Sequence, residues 1–397
     1  MNVLLVHNYY PVIGGGEDSV VDEERAMLEQ AGHKVVPFFI YTKERGLRDF
    51  AMSALCLIWN PAAFRRLRLT LQSERPDVVH CHNTFPLLSP SIYWACRKEG
   101  VPVVQTLHNY RLVCANGLFL RNGSVCEECS GKTFPWPAIR YRCYRESYIG
   151  SILLVMMQWV HRLLGTWRNK VDRYIALTEF AKSRFVDSGV LPAEKVSVKP
   201  NFINDPCTSE SAEPKKNQAV FIGRLWPEKG CHVLVEAWVE AFKRSPGLNG
   251  CELLIIGDGP GREKSEALCS GRPADYAIQF LGTIPRAEVL ETLKASRFLV
   301  LPSIWYEGFP MTIVEAFACG VPVLSAKLGS MLSIIEEQKT GLFFEAGNID
   351  QLVEKLVWAV SHEADMDRMG KNARVEFEKQ YSTQHNCEQL LEIYQKA

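Results

Sequence analysis

The stretch Ser303–Gly320 reads SIWYEGFPMTIVEAFACG and decides the fold around it. The six residues before it, RFLVLP, and the six after it, VPVLSA, are short apolar runs without alternation. Such runs are typical of buried parallel strands. Pro310 occupies a favoured first helical position, and Gly320 a favoured position just after a helix. The stretch therefore predicts strand, loop, helix and strand, the repeating unit of an open parallel sheet.

Two glutamates in this stretch are candidate ligand-binding residues. Glu307 follows the strand and Glu315 lies within the predicted helix, at the edge where open parallel sheets bind ligands. The amides of Gly308 and Phe309 precede the helix and suit oxygen-rich or anionic groups. A carboxylate beside free amides favours a polyhydroxylated ligand. A capping acid and a surface acid would give the same spacing, so the interpretation depends on the full string.

The string E-G-F-P-x-x-x-x-E-A-x-A-x-G resembles the hallmark of the retaining, nucleotide-sugar-dependent glycosyltransferases of family 4. The resemblance implies an α/β GT-B fold, in which two Rossmann-like, doubly wound parallel-sheet domains face a cleft. It also implies that Glu307 contacts the transferred sugar and Glu315 the nucleotide ribose.

A second family hallmark, Gly-Arg-Leu followed by Glu-Lys-Gly, comes directly after the predicted strand 219–223. Arg224 and Lys229 are five residues apart on the strand's exit loop, which suits a diphosphate. A solvated basic turn is the alternative. The resemblance places Gly223 and Gly282 in the donor site as well. Because two cations would neutralise the leaving diphosphate, no catalytic metal is expected.

The first 40 residues predict a β-α-β opening with the glycine-rich turn 14–16. The turn lacks G-x-G-x-x-G spacing, so NAD binding is not predicted. The resemblance implies that Gly15 and Gly16 approach the donor diphosphate and the acceptor.

Three histidines lie at predicted strand ends. The resemblance implies that His108 contacts the transferred sugar, although Asn109 stands where the family often has aspartate. His80 and His82 suggest either a metal or, as is more usual at strand ends, hydrogen bonding.

Composition and predicted elements divide the chain into an acceptor-binding domain 1–200, a polar linker 201–218 and a nucleotide-sugar-binding domain 219–381. The final helix, 382–397, is expected to cross back onto the first domain.

A cysteine-rich insert, 114–143, contains Cys114, Cys126, Cys129 and Cys143. Its Cys-Glu-Glu-Cys-Ser-Gly segment resembles a zinc knuckle, and four thiolates would complete a structural zinc site. Free thiols are an equal alternative. With 13 cysteines and no export signal, the sequence favours reduced thiols in a cytosolic protein.

The net charge is zero but uneven: residues 1–200 contain 25 Lys and Arg against 18 Asp and Glu. This excess favours an acidic partner such as an anionic membrane surface, although ordinary scatter gives the same excess. The stretch 55–71 reads either as an interfacial amphipathic helix or as a packed helix with solvated arginines. The apolar run Ile149–Val160 is shorter than the ~20 residues that a spanning helix needs. Peripheral attachment to the inner membrane face is expected, and no nucleic-acid partner.

The sequence thus predicts a retaining glycosyltransferase that moves a hexose-type sugar from a nucleotide-diphosphate sugar to a glycan or lipid-linked acceptor in envelope polysaccharide synthesis. A nucleotide-sugar epimerase on the same fold and a non-catalytic binding protein are the alternatives. An epimerase needs acid and base groups at the sugar, and beyond His108 no such cluster is evident.

Overall fold

The computed structural model describes residues 1–9, 16–42, 56–207, 214–245, 248, 250–269 and 273–397. The chain divides into two compact units. The first comprises Met1–Phe119, Cys126–Asn201 and Thr383–Ala397, and the second comprises Leu120–Val125 and Phe202–Ser382. The final helix therefore belongs to the first unit, whereas the tip of the cysteine-rich insert is grouped with the second.

Up to Asn201 the described chain alternates between strands and helices, except between residues 108 and 172, where two short strands are followed by three helices. The strands are β1 Asn2–Tyr9, β2 Lys34–Tyr41, β3 Val78–Cys81, β4 Val103–Leu107, β5 Leu120–Arg121, β6 Ser124–Val125, β7 Arg173–Ala176 and β8 Val196–Val198. The helices are α1 Gly16–Gln30, α2 Pro61–Glu74, α3 Ser91–Glu99, α4 Pro137–Arg140, α5 Tyr148–Leu163, α6 Thr166–Asn169 and α7 Glu179–Asp187, with a 3₁₀ turn at Ala193–Lys195.

The first unit is built on a six-stranded sheet of order β2-β1-β3-β4-β7-β8, and every pair in it is parallel. Its interior strand β1, next to the edge strand β2, buries the apolar run Val3–Val6 completely, because helices cover both faces of a parallel sheet. The strand order reverses between β1 and β3. His82 and His108 directly follow β3 and β4, and therefore lie at the carboxyl edge where such sheets bind ligands.

The second half of the chain repeats this alternation. The strands are β9 Gln218–Ile222, β10 Glu252–Ile256, β11 Ile278–Gly282, β12 Phe298–Leu301, β13 Val323–Ala326 and β14 Gly341–Phe344. The helices are α8 Cys231–Arg244, α9 Arg262–Ala267, α10 Arg286–Ala295, α11 Met311–Ala318, α12 Met331–Ile334, α13 Ile349–Ser361, α14 Glu363–Gln380 and α15 Thr383–Gln395, with 3₁₀ turns at Pro227–Lys229 and Pro273–Tyr276.

The second sheet has the order β11-β10-β9-β12-β13-β14, again with parallel pairs throughout. Counted from β9, this is the 3-2-1-4-5-6 order of the Rossmann fold, and its reversal lies between β9 and β12. The two hallmark loops leave these two strands. The predicted pair of doubly wound parallel sheets is confirmed, and the motif loops occupy the reversal point of the second.

Glycine at position 230 lets the two loops approach each other. Its φ is +71°, and a methyl group there would overlap the carbonyl oxygen of Pro302. The amide of Ile304 also donates to the carbonyl of Glu228 at 3.0 Å. The turn that precedes α8 is therefore fixed against the exit of β12.

Two local predictions are adjusted. The motif helix begins at Met311, one position after the predicted first helical residue Pro310, which is instead the N-cap with extended backbone. In the first unit α2 buries Ala63, Leu67 and Leu71, and the Arg68 side chain pairs with Glu99 at 2.6 Å. For the part of 55–71 that the structure describes, these contacts favour the packed-helix interpretation.

The apolar run Ile149–Val160 lies within α5, a helix of 16 residues. Among the described residues, no helix combines the length and the apolar character that crossing a membrane requires.

Candidate active site

The residues predicted to bind the donor meet in an ion pair. The Lys229 ammonium donates to both carboxylate oxygens of Glu307, at 2.8 and 3.0 Å. Glu307 is 4% exposed, so the pair is largely removed from water. It joins the exit loops of β9 and β12 at the reversal point of the sheet. A lysine expected on the diphosphate and a glutamate expected on the sugar are thus in direct contact.

Two further side chains hold the same carboxylate. The Ser303 hydroxyl donates to Glu307 Oε1 at 2.7 Å, and the indole N–H of Trp305 donates to the same oxygen at 3.1 Å. Since a carboxylate can only accept, these donors together with Lys229 fix its orientation. The sequence prediction missed Ser303 and Trp305. Their position in the same loop, four and two residues before Glu307, is the sequence feature that could have indicated them.

Arg224 extends this site with a second positive charge. Its guanidinium is exposed, lies 5.9 Å from the ring centroid of Trp226 and forms no ion pair with any residue that the structure describes. An exposed arginine on the exit loop that also carries Lys229 leaves cationic hydrogen-bond donors available to an anion.

Glycines bring the neighbouring backbones together at the same edge. A methyl group at Gly257, whose φ is +125°, would overlap the carbonyl oxygen of Gly223. The Gly257 amide donates to the carbonyl of Gly282 at 2.8 Å. Gly223 and Gly282, both predicted donor-site residues, therefore lie at adjoining strand ends.

The start of the motif helix presents main-chain donors. The hydroxyl of Ser330 donates to the carbonyl of Gly308 at 3.0 Å and so anchors the loop. Within the described chain, the amides of Gly308 and Phe309 donate to no other residue. They precede the N-cap Pro310 and remain available to an oxygen-rich ligand.

Glu315 lies on α11 in a different environment from Glu307. Burial raises the pKa of its carboxyl above the usual range, and Arg286, 3.5 Å away, partly offsets this effect. The structure therefore separates the two motif glutamates: Glu307 is held by a lysine and neutral donors, while Glu315 forms a longer ion pair with Arg286.

In the first unit, His108 lies at the wall of a small pocket of about 60 Å³. The pocket is lined among others by His82, Asn83, Thr84, Phe85, Asn109 and Arg111. The side chain of Asn109 accepts the main-chain N–H of Arg111 at 3.1 Å, so this residue closes its own turn. Gly16 begins α1, and Gly15 lies outside the described residues.

His80 and His82 meet a carboxylate that the sequence analysis did not identify. Glu24 is 1% exposed, and its Oε1 lies 2.9 Å from His80 Nδ1 and 3.1 Å from His82 Nε2. In the described part of the chain, these three residues are the one group whose ligand atoms lie within 4.8 Å of one another. The sequence feature that could have indicated Glu24 is its position on the apolar face of the helix, between Val20 and Leu28, where a glutamate is buried.

This group is better explained as a hydrogen-bonded network than as a metal centre. The Lys199 ammonium lies 3.6 Å from Glu24 Oε2, and a cation at this distance would repel a bound metal ion. The Tyr394 hydroxyl lies 2.7 Å from the same His80 nitrogen that faces Glu24. The hydrogen-bonding interpretation of the two histidines is therefore favoured.

The four cysteines of the insert lie near one another. Burial raises the pKa of the Cys129 thiol to about 12, and the neighbouring thiols of Cys114, Cys143 and Cys126 act in the same direction. No three of the four thiols, all within the described ranges, have sulfur atoms mutually within 4.8 Å. None of the 13 cysteines, which all lie in the described ranges, forms a disulfide.

Comparisons with known proteins agree with this architecture. The family described as Glycosyltransferase Family 4 matches residues 13–205, and the family described as Glycosyl transferases group 1 matches residues 208–376. Together they cover almost the whole chain.

Two curated relatives are similar along most of the sequence. Alpha-monoglucosyldiacylglycerol synthase of Acholeplasma laidlawii is 26% identical over 392 residues, which are 92% of this chain and 90% of that protein. D-inositol 3-phosphate glycosyltransferase of Gordonia bronchialis is 28% identical over 339 residues, which are 81% of this chain and 66% of that protein.

A solved structure shares the fold. Anabaena Alr3699/HepE, determined in complex with UDP-glucose, superposes with a TM-score of 0.66 at 18% identity and covers 100% of both chains. The two family matches and the two parallel sheets lead to one conclusion: the chain belongs to the family 4 glycosyltransferases of GT-B fold, with a C-terminal group 1 domain.

Proposed function

We propose that the protein is a retaining glycosyltransferase that moves a hexose-type sugar from a nucleotide-diphosphate sugar. The observation that carries the proposal is the Lys229–Glu307 pair at the reversal point of the second sheet, with the exposed Arg224 on the same exit loop. Family membership supports the transfer of a sugar from a nucleotide-sugar donor, and the pair gives this chain a specific set of residues for it.

The donor's diphosphate would be held by Arg224 and Lys229. An ammonium has three N–H groups, and the two that Lys229 directs at Glu307 leave one for a phosphate oxygen. As the bond between the anomeric carbon and the phosphate oxygen breaks, negative charge grows on the diphosphate. Fixed cations in a site of low polarity stabilise this charge without reorganisation, which makes a metal ion unnecessary for the step.

The transferred sugar would be held by Glu307 and by the Gly308 and Phe309 amides, since a carboxylate accepts from hydroxyls and amides donate to them. We assign His108 to the same sugar. Among the residues that the structure describes, we assign no carboxylate as a covalent nucleophile. We therefore propose attack from the leaving-group face, with the acceptor's proton passing to the departing phosphate oxygen.

The acceptor is proposed to be lipid-linked and used at the inner membrane face, for envelope polysaccharide. Support comes from exposed apolar side chains on α5. Ile149 and Ile152, near the start of the helix, are 64% and 41% exposed, and Leu163 at its end is exposed as well. Further exposed aromatic and basic side chains precede or begin this helix: Lys132, Phe134, Trp136, Arg140, Tyr141, Arg142, Arg145 and Tyr148. Apolar and aromatic residues among arginines fit an anionic bilayer surface, where each basic residue contributes roughly 1 kcal/mol.

We also propose that the insert binds a structural zinc ion through Cys114, Cys126, Cys129 and Cys143. Support comes from the thiols of Cys114, Cys143 and Cys126, which all act on the pKa of Cys129, and from the tight turn at Cys126–Cys129, where the amide of Ser130 donates to the carbonyl of Glu127 at 2.9 Å. Zinc binding would draw the sulfur atoms closer together than they lie in the structure. Four thiolates would leave no open coordination position, so this zinc would stabilise the insert and take no part in transfer.

Turnover assays should separate the proposed roles. Arg224→Ala should lower kcat by ~10²-fold, because its charge faces the leaving diphosphate. Glu315→Ala should act mainly through donor KM, because the ribose does not change during transfer. Release of nucleoside diphosphate from a panel of nucleotide sugars is the readout, and Arg244→Ala, an exposed arginine paired with Glu240, is the control.

Conversion of the donor to an isomer without release of nucleotide would instead identify an epimerase, and binding alone a non-catalytic protein. A fall in kcat for Glu315→Ala with only a KM effect for Arg224→Ala would contradict the assigned roles.

Membrane binding is tested by flotation with phosphatidylglycerol and phosphatidylcholine vesicles. The wild type should float with the anionic vesicles and be released by salt. Replacement of Ile149 and Ile152 by aspartate should abolish flotation, whereas Leu69→Asp on α2, at a position 58% exposed, should not. Equal recovery with both lipids would count against the proposed surface.

The zinc proposal is tested by elemental analysis of the purified protein. About one zinc per chain is expected in the wild type and in Cys56→Ser, and little in a variant with serine at Cys126 and Cys129. Metal-free wild-type protein whose four insert thiols are all alkylated in the folded state would exclude the site.

A further inference from the structure

The buried network in the first unit leads from a charged pair to His108. Lys199 and Glu24 are 2% and 1% exposed, and their charged groups lie 3.6 Å apart. Glu24 Oε1 lies 3.1 Å from His82 Nε2, and His82 Nδ1 lies 2.9 Å from His108 Nε2. Four side chains thus form one continuous chain of polar contacts.

Glu24 is ionised in this network. Burial alone would raise the pKa of its carboxyl, but His80, His82 and Lys199 outweigh burial and hold the pKa well below the usual range. A carboxylate has no proton to donate and can only accept hydrogen bonds. Any proton between Glu24 and His82 therefore resides on the histidine.

His82 is a neutral ring with one N–H. Burial and the neighbouring His80 lower its pKa to about 4, although Glu24 acts in the opposite direction. Since Glu24 accepts, the single proton of His82 is on Nε2. Its Nδ1 then presents a lone pair to the ring beside it, 2.9 Å away.

The proton position on His108 follows from this. Facing a lone pair, His108 Nε2 must donate, so a neutral His108 carries its proton there and keeps a bare Nδ1. Burial, followed by the neighbouring His82, lowers the pKa of His108 well below its usual range, which keeps the ring neutral.

We propose that Glu24 and His82 are positioning residues that fix His108 as the Nε2–H tautomer, so that its Nδ1 accepts a hydrogen bond from a hydroxyl of the transferred sugar. This inference rests on the proposed function, in which His108 contacts that sugar. A hydroxyl that donates its hydrogen bond gains electron density at oxygen. It therefore stabilises the positive charge that develops on the sugar during transfer, whereas a donating or charged histidine would oppose that charge.

The network also contacts purely structural partners, since His80 lies 2.8 Å from the Thr106 hydroxyl and 2.7 Å from that of Tyr394 on α15. A role limited to stability would leave the tautomer of His108 irrelevant to turnover. The test must therefore measure the tautomer of His108 directly and must determine kcat and donor KM separately.

The first measurement uses the wild-type protein with ¹⁵N-labelled histidine. Long-range ¹H–¹⁵N correlation spectra distinguish the two neutral tautomers and the imidazolium, and His108→Asn assigns the signals. We expect His108 at pH 7 to be neutral with its proton on Nε2. A His108 ring that carries its proton on Nδ1, or that is charged, would overturn the proposal. Because this measurement uses the wild-type protein, its result does not depend on whether a variant folds.

A matched pair of variants provides the second measurement. In His82→Asn the amide oxygen takes roughly the place of Nδ1 and can still accept from His108. In His82→Gln the amide reaches the place of Nε2, so the contact with Glu24 is kept and that with His108 is lost. In His82→Gln we expect His108 to be no longer held as the Nε2–H tautomer, and kcat to fall by ~10-fold at unchanged donor KM. His82→Asn should keep a kcat close to that of the wild type.

The outcomes distinguish this inference from the function on which it rests. Equal kcat in the two variants, with folding checked by circular dichroism, would overturn the positioning role. The expected tautomer together with full turnover of His108→Asn would leave the network intact and would instead overturn the proposed contact between His108 and the sugar.

Discussion

A buried carboxylate at the reversal point of a parallel sheet is the constraint on which the second unit depends. Taking a carboxylate out of water costs several kcal/mol unless a counter-charge and hydrogen bonds replace the solvent. Glu307 meets this requirement with Lys229, Ser303 and Trp305. The loops that supply these donors leave β9 and β12, so the sheet order that brings the two strands together also makes the ion pair possible.

The first unit also contains a buried carboxylate, which is stabilised by different residues. Glu24 is buried at the carboxyl edge of its sheet and is held by Lys199, His80 and His82. In the second unit the lysine–carboxylate pair includes Glu307, which is itself expected to meet the sugar, and in the first unit the pair is connected through His82 to His108. Charge is thereby fixed in advance, which suits a reaction whose transition state gains charge on both the leaving group and the transferred sugar.

The sequence predicted the parallel sheets correctly, because apolar strands and turn residues are local signals, and the motif residues could be singled out for the same reason. Apolar runs, turn glycines and the spacing of Glu307 and Glu315 are visible within some twenty residues. The partners of these residues were harder to predict, because Lys229 and Glu307 are 78 positions apart and meet only through sheet order. Glu24 and Lys199 are farther apart in sequence, and their network was indicated by the strand-end histidines His80 and His82 and by a glutamate on an apolar helix face.

The central claim is that Lys229 and Glu307 act as one unit in transfer. A double-mutant cycle with Lys229→Met and Glu307→Gln, read as kcat/KM for the nucleotide-sugar donor, tests it most directly. Side chains in direct contact couple by about 0.5–3 kcal/mol, so the double variant should lose much less activity than the two single losses predict together. Losses that simply add, with coupling near zero, would show that the two residues act independently and would contradict this account.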